Sequence, residues 1–167
     1  MSDKRFKRIE KYLIITLILF IVLAYILLTF RLCRIHGSSM FPTMNENDMV
    51  IYTKNKEYQR QDVIVFEFNG YKMIKRVIGI EGDIIDIKDD GTVYVNNKPL
   101  KEDYVDEIEA GHIEVKLPLK VDKDTYFVLG DNRNNSLDSR NQDIGLIKEK
   151  YVKGKVIFSI NKMSIIK

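Results

Sequence analysis

One cysteine and two histidines are all the thiol and imidazole side chains this chain has. A lone Cys33 excludes an internal disulfide, and with only His36 and His112 beside it no zinc spacing can be assembled. Also missing is a basic stripe with interleaved aromatics on a folded face, so nucleic acid is not expected as a partner. The net charge of +3 over 167 residues carries little information, because the positive charge is concentrated at the N-terminus. There is no low-complexity tract and no internal repeat, and no stretch beyond residue 30 holds a helical period over three turns. The length suits one sizeable core but hardly two.

What is present begins with Lys4, Arg5, Lys7, Arg8 and Lys11, followed by residues 12–30 without a single charge. A helix crosses the hydrocarbon core with about 20 residues, so this run is long enough to span. A cleaved secretory signal would need a shorter apolar region and a small-residue cleavage site, whereas Arg31-Leu32-Cys33-Arg34 follows. The expectation is an uncleaved anchor. The heavier basic cluster precedes it, which favours a cytoplasmic N-terminus and everything after Phe30 outside the cell membrane. The chain then divides into a basic tail (1–11), a transmembrane anchor (12–30) and an extracytoplasmic domain (31–167).

That domain reads as mostly antiparallel β. Residues 49–53 form a short apolar run, and 63–68 and 71–80 flank Asn69-Gly70, the strongest local hairpin signal. Residues 83–88 and 92–95 flank Asp89-Asp90-Gly91, and Asn96-Asn97 turns the chain again. Further strands are expected at 125–129 and 152–160. The acidic segment 101–114 lacks periodicity and reads as an exposed, solvated loop.

Three stretches carry possible chemistry. In His36-Gly37-Ser38-Ser39-Met40-Phe41-Pro42-Thr43-Met44, two hydroxyls follow a glycine and Pro42 fixes the backbone. Such a stretch can hold one serine still with backbone N–H groups facing a reacting oxygen, although Gly-Ser-Ser is also ordinary turn composition. In residues 71–79, alternation puts Lys75 with Met73 and Val77, and Arg76 with Ile74 and Ile78. A lysine desolvated on that apolar face loses its proton more readily and can serve as a base; an arginine cannot. Residues 129–140 are dense in hydrogen-bonding groups, and Asp138 can pair with Arg140 in support of a site. Asp131, Asn132, Asn134 and Asp138 carry oxygen ligands of the kind calcium takes, but the spacing is wrong for the helix-flanked type and no closing glutamate appears.

Ser39-Met40-Phe41-Pro42-Thr43, Lys75-Arg76-Val77-Ile78-Gly79 with Gly82-Asp83, and Gly130-Asp131-Asn132-Arg133-Asn134-Asn135-Ser136-Leu137-Asp138-Ser139-Arg140 resemble the three boxes of bacterial type I signal peptidases. They stand in that family's order behind an N-terminal anchor, and the single anchor and short chain resemble its Gram-positive branch. The resemblance implies a β-sheet catalytic domain of signal-peptidase type and a Ser/Lys dyad. Ser39 would be the nucleophile, chosen over Ser38 because it directly precedes methionine, and Lys75 its general base. It further implies that Ser136 orients the lysine amine, that Asp138 and Arg140 brace the site, and that Ile35, Met40, Met44 and Ile74 line pockets for small residues. No cofactor is implied. The implied partners are preproteins cut after Ala-x-Ala-like sequences, and the lipid bilayer, with Met40 and Phe41 near lipid. Two departures stand out: Gly37 replaces a serine that helps stabilise the oxyanion in some members, and Glu81 replaces a proline in a Gly-x-Pro-Gly-Asp turn.

Rival readings are a self-cleaving repressor with the same dyad, a chymotrypsin-like triad through His112, and a catalytically silent tethered scaffold. The anchor argues against the first, the acidic irregular setting of His112 against the second, and the presence of both Ser39 and Lys75 against the third.

Overall fold

A computed structural model describes residues 2–54 and 57–166 of the chain. These fall into two compact units, Met1–Arg31 and Leu32–Lys167.

The first unit is one helix, α1 (Ser2–Thr29), which starts within the basic segment, so that the tail and the apolar run form a single element. Its Arg5–Thr29 portion is long and apolar enough to cross a membrane, and none of its apolar window is buried against protein.

The second unit is built almost wholly of antiparallel strands. Strand β1 (Phe30–Arg34) leads into the Ser39 segment, after which β2 (Met49–Thr53), β3 (Val63–Phe68) and β4 (Tyr71–Gly79) follow. The hairpin of β3 and β4 closes on Asn69-Gly70, both at positive φ, as the sequence suggests. Then come β5 (Ile84–Ile87), β6 (Val93–Val95), β7 (Lys98–Pro99) and β8 (Leu119–Lys120), and after them β9 (Thr125–Leu129), β10 (Ile147–Lys148), β11 (Val152–Ser159) and β12 (Ser164–Ile165). Among the described residues the only helical elements of this unit are two 3-10 turns, Arg133–Asn135 and Glu149–Tyr151.

Two sheets result. The larger has the order β1-β2-β11-β3-β4-β9-β10, with β12 added on β11; the smaller has the order β7-β6-β5-β8. Strand β9 is buried along its whole length and β3 over its first four residues, which explains why those stretches read as continuous apolar runs. The expected strands are present, some one or two residues shorter than their sequence patterns. The strands not anticipated are β1 and the two-residue pieces β7, β8, β10 and β12, most of them too short to show a period.

One core cluster joins Ile35, Met40 and Met44 to Val50, Val63 and Ile74, so the segment around Ser39 is fastened to the sheet on both flanks. A second packs Ile64, Phe66, Val77 and Val128, and a third lies under the small sheet around Ile85, Val93 and Phe127. Strand β4 contributes to all three through Ile74, Val77 and Ile78. Its register ties it to β3 from Tyr71 to Arg76, but to β9 only from Arg76 onward. Residues 71–75 therefore keep one backbone edge open beside the Ser39 turn.

Candidate active site

Ser39 sits in a tight turn in which Phe41 N–H donates to Ser38 O (3.0 Å) and Met44 N–H to Met40 O (2.8 Å). The turn is buttoned from outside by Asn132, whose N–H donates to Ser39 O at 3.0 Å. The Ser39 N–H itself donates to no acceptor among the described residues, which leaves it free for a developing negative charge. Gly37 precedes it at φ +81°, where any side chain would be strained.

Lys75, 3% exposed, brings its Nζ to 2.7 Å from Ser39 Oγ and donates a second bond to Ile74 O at 3.1 Å. Ser38 is separate: its hydroxyl accepts from Asn135 Nδ2 at 2.9 Å. Of the two serines, it is Ser39 whose hydroxyl meets the Lys75 amine. Neither histidine bonds to Ser39; His112 is exposed and faces Glu114 at 3.2 Å.

Burial pushes the Lys75 ammonium down from 10.5 to about 8; Asp138 and Asp131 pull it back up, and Arg140 pushes it further down. Desolvation wins because each nearby carboxylate is already occupied by an arginine fork. Arg76 Nε and Nη2 hold Asp131 at 2.9 and 2.7 Å. Arg140 Nε and Nη2 hold Asp138 at 2.9 and 2.8 Å. Burial works to raise the Asp138 carboxyl, yet the Arg140 hydrogen bond and charge, with the Gly130 N–H, hold it below the usual carboxylate range.

Asp131 also accepts from Thr43 Oγ1 at 2.5 Å. The Ser39 turn and the strand bearing Lys75 are therefore tied through one carboxylate, since Arg76 is the next residue on that strand. Gly130 is a required close approach: a Cβ there would stand 2.2 Å from Ser136 Oγ and 2.5 Å from Ser39 O.

Asp138 and Arg140 pair as expected. The Ser136 hydroxyl is buried beside Gly130 and faces the Asp138 carboxyl, which it helps to hold low, while the amine it was expected to orient is taken by Ser39 and Ile74. Of the four pocket residues, Ile35, Met40 and Ile74 line a cleft of about 360 Å³ that opens beside Ser39 and Lys75. Met44 does not: it is fully buried in the first core cluster, turned away by the Met40–Met44 turn. Met40, at 1% exposed, is likewise no lipid contact; of that pair only Phe41, 45% exposed, faces outward.

Residues 101–114 are the irregular, mostly exposed loop expected, but not merely a solvated face: part of the segment reaches the site. Glu102 forms a buried fork with Arg133 (2.5 and 3.1 Å), Tyr104 lies 3.9 Å over the Arg76 guanidinium and donates to Glu102 at 2.8 Å, and Ala110 O accepts from Arg140 at 2.8 Å. All three arginines near the site are thus capped by this acidic strap. Its low periodicity hid the role; the one signal in the sequence was acidic excess in a segment of a domain with three arginines close to its polar box.

The family described as signal peptidase, peptidase S26, matches residues 8–161. Signal peptidase I T of Bacillus subtilis (strain 168) is 36% identical over 92% of this chain and 86% of its own length, and signal peptidase I of Bacillus licheniformis is 37% identical over 77% of each. A crystal structure of a signal peptidase I from Enterococcus faecalis V583 is 35% identical, covering 60% of this chain and 97% of that one with a TM-score of 0.49. With the matched residues taking in all but the ends of the sequence, the chain belongs to the signal peptidase family, peptidase S26.

Proposed function

We propose that this serine endopeptidase of the signal peptidase family removes signal peptides from secreted preproteins with Ser39 as nucleophile and neutral Lys75 as its general base. The supporting observation is the 2.7 Å approach of a buried amine to a hydroxyl whose own backbone N–H is unclaimed. Lys75 takes the Ser39 proton as Oγ attacks the scissile carbonyl carbon, and the oxyanion accepts from the Ser39 N–H. The C–N bond breaks, the Lys75 ammonium returns the proton to the leaving amine, and an ester to Ser39 remains. Lys75 then deprotonates a water that attacks this ester, freeing the signal peptide and Ser39.

The substrate fits as an added strand along the open edge of residues 71–75. The shallow apolar floor of Ile35, Met40 and Ile74 suits side chains as small as alanine, in keeping with Ala-x-Ala-like sites. Supporting roles fall to Asp138 and Arg140 as a brace, and to Ser136 as a hydroxyl beside the dyad. Anchoring by α1 in the cell membrane, N-terminus inside, puts the cleft where a preprotein's signal helix ends: residues 30 to 39 reach about 30 Å at full extension.

The test is incubation of the detergent-solubilised chain with a preprotein, beside Ser39→Ala, followed by N-terminal sequencing of the product. A single new N-terminus after a small residue, absent with Ser39→Ala, is the expected result. A silent scaffold homologue would leave the preprotein intact in both samples.

A further inference from the structure

The cleft that holds Ser39 and Lys75 is not uniformly apolar. At its rim stand Arg34 on β1, Lys72 on β4 and Glu46, all exposed and none in an ion pair among the described residues. Lys72 is the best placed of the three. It lies on the same strand as Lys75, three residues earlier, hence about 10 Å along an extended backbone. Its cross-strand neighbour Glu67 is already held by Lys153 at 2.6 Å, and the Tyr52 ring lies 6.0 Å from its ammonium. A peptide pairing with residues 71–75 can run from Lys75 only toward Tyr71, because β9 occupies the same edge from Arg76 onward.

We propose that Lys72, with Arg34 on the same cleft, is a specificity-determining residue that favours an acidic or neutral side chain over a basic one about three to four positions upstream of the attacked residue. The inference rests on the peptidase reading of this cleft and adds to it a charge preference. Two exposed cations against one carboxylate leave the rim net positive, so a substrate lysine there meets more like charge than opposite charge. Exposed pairs are weak, so the discrimination is a matter of fold-changes in kcat/KM and not of all-or-none cleavage.

The experiment uses the full chain in neutral detergent and one preprotein carrying Glu, Gln or Lys in turn at the third, fourth and fifth positions before the cut. Expected at low salt is an order Glu, Gln, Lys at one of these positions, with Glu over Lys by roughly fivefold, shrinking toward parity near 1 M NaCl as screening sets in. Lys72→Gln is expected to flatten the series and Lys72→Glu to invert it; both changes fall at one solvent-exposed position, so folding is preserved. Equal rates for the three substrates at all three positions, or an order unchanged by Lys72→Glu, would overturn the proposal while leaving the peptidase reading intact. No cleavage of any substrate by the unaltered chain would overturn both.

Discussion

A lysine held at 3% exposure costs the fold something, and at Lys75 that cost is tied to pH. Its displacement from 10.5 to about 8 corresponds to about 3 kcal/mol between the two protonation states. Below pH 8 the amine is charged in both folded and unfolded chains and the full penalty applies. Between 8 and 10.5 the unfolded chain binds more protons than the folded one, so stability rises with pH. Lys75→Met should therefore abolish cleavage and raise stability near pH 7 by up to about 3 kcal/mol, with the gain fading toward pH 10 in denaturant titrations. With Lys75 as the proposed base, kcat/KM should climb through an acid limb near pH 8 as the amine loses its proton. At Gly130 the constraint is steric. A methyl group there meets Ser136 Oγ and Ser39 O at once, and Gly130→Ala should lower kcat at least tenfold, as a misplaced Ser39 would. Lys75 was legible as a candidate because an apolar face surrounds it in the sequence; apart from the family resemblance, the residues could not separate Ser39 from Ser38, because the side chains that meet their hydroxyls, Lys75 and Asn135, lie 36 and 97 residues away.

At the scale of elements, the β3–β4 hairpin was readable from local chemistry alone, since Asn69-Gly70 and two apolar runs specify turn, register and alternation together. The strap of residues 101–114 was not, because its partners are remote: Glu102 answers Arg133, 31 residues on, and Ala110 answers Arg140, 30 residues on. An acidic segment without period looks like a solvated face until the arginines it caps are known. Removing one partner of a buried fork leaves the other charge uncompensated. Glu102→Ala should accordingly destabilise the protein by about 3–5 kcal/mol, as measured by thermal or denaturant unfolding. The double change Glu102→Met with Arg133→Met should recover much of that loss, since a buried ion pair often contributes little over an apolar pair of similar volume. If the single and double variants were equally destabilised, the strap would be acting through backbone shape and not through charge.

Taken whole, the two units differ in what covers their apolar side chains. Leu32–Lys167 carries its own three apolar clusters and its two sheets, whereas the apolar side chains of α1, among them Leu13, Phe20 and Leu27, are exposed on the chain itself. Lipid or detergent would cover a surface of that kind, because leaving it to water costs about 25 cal/mol for each Å². Shortening the chain to residues 32–167 should thus give a protein that stays in solution without detergent, unfolds cooperatively and still cleaves a short soluble peptide. Its rate on a preprotein embedded in vesicles should fall well below that of the full chain on the same vesicles, because a tethered enzyme searches in two dimensions and a free one in three. Equal rates for both forms on embedded preprotein would mean that α1 serves only to retain the enzyme, and that Phe41 and the cleft find the bilayer unaided.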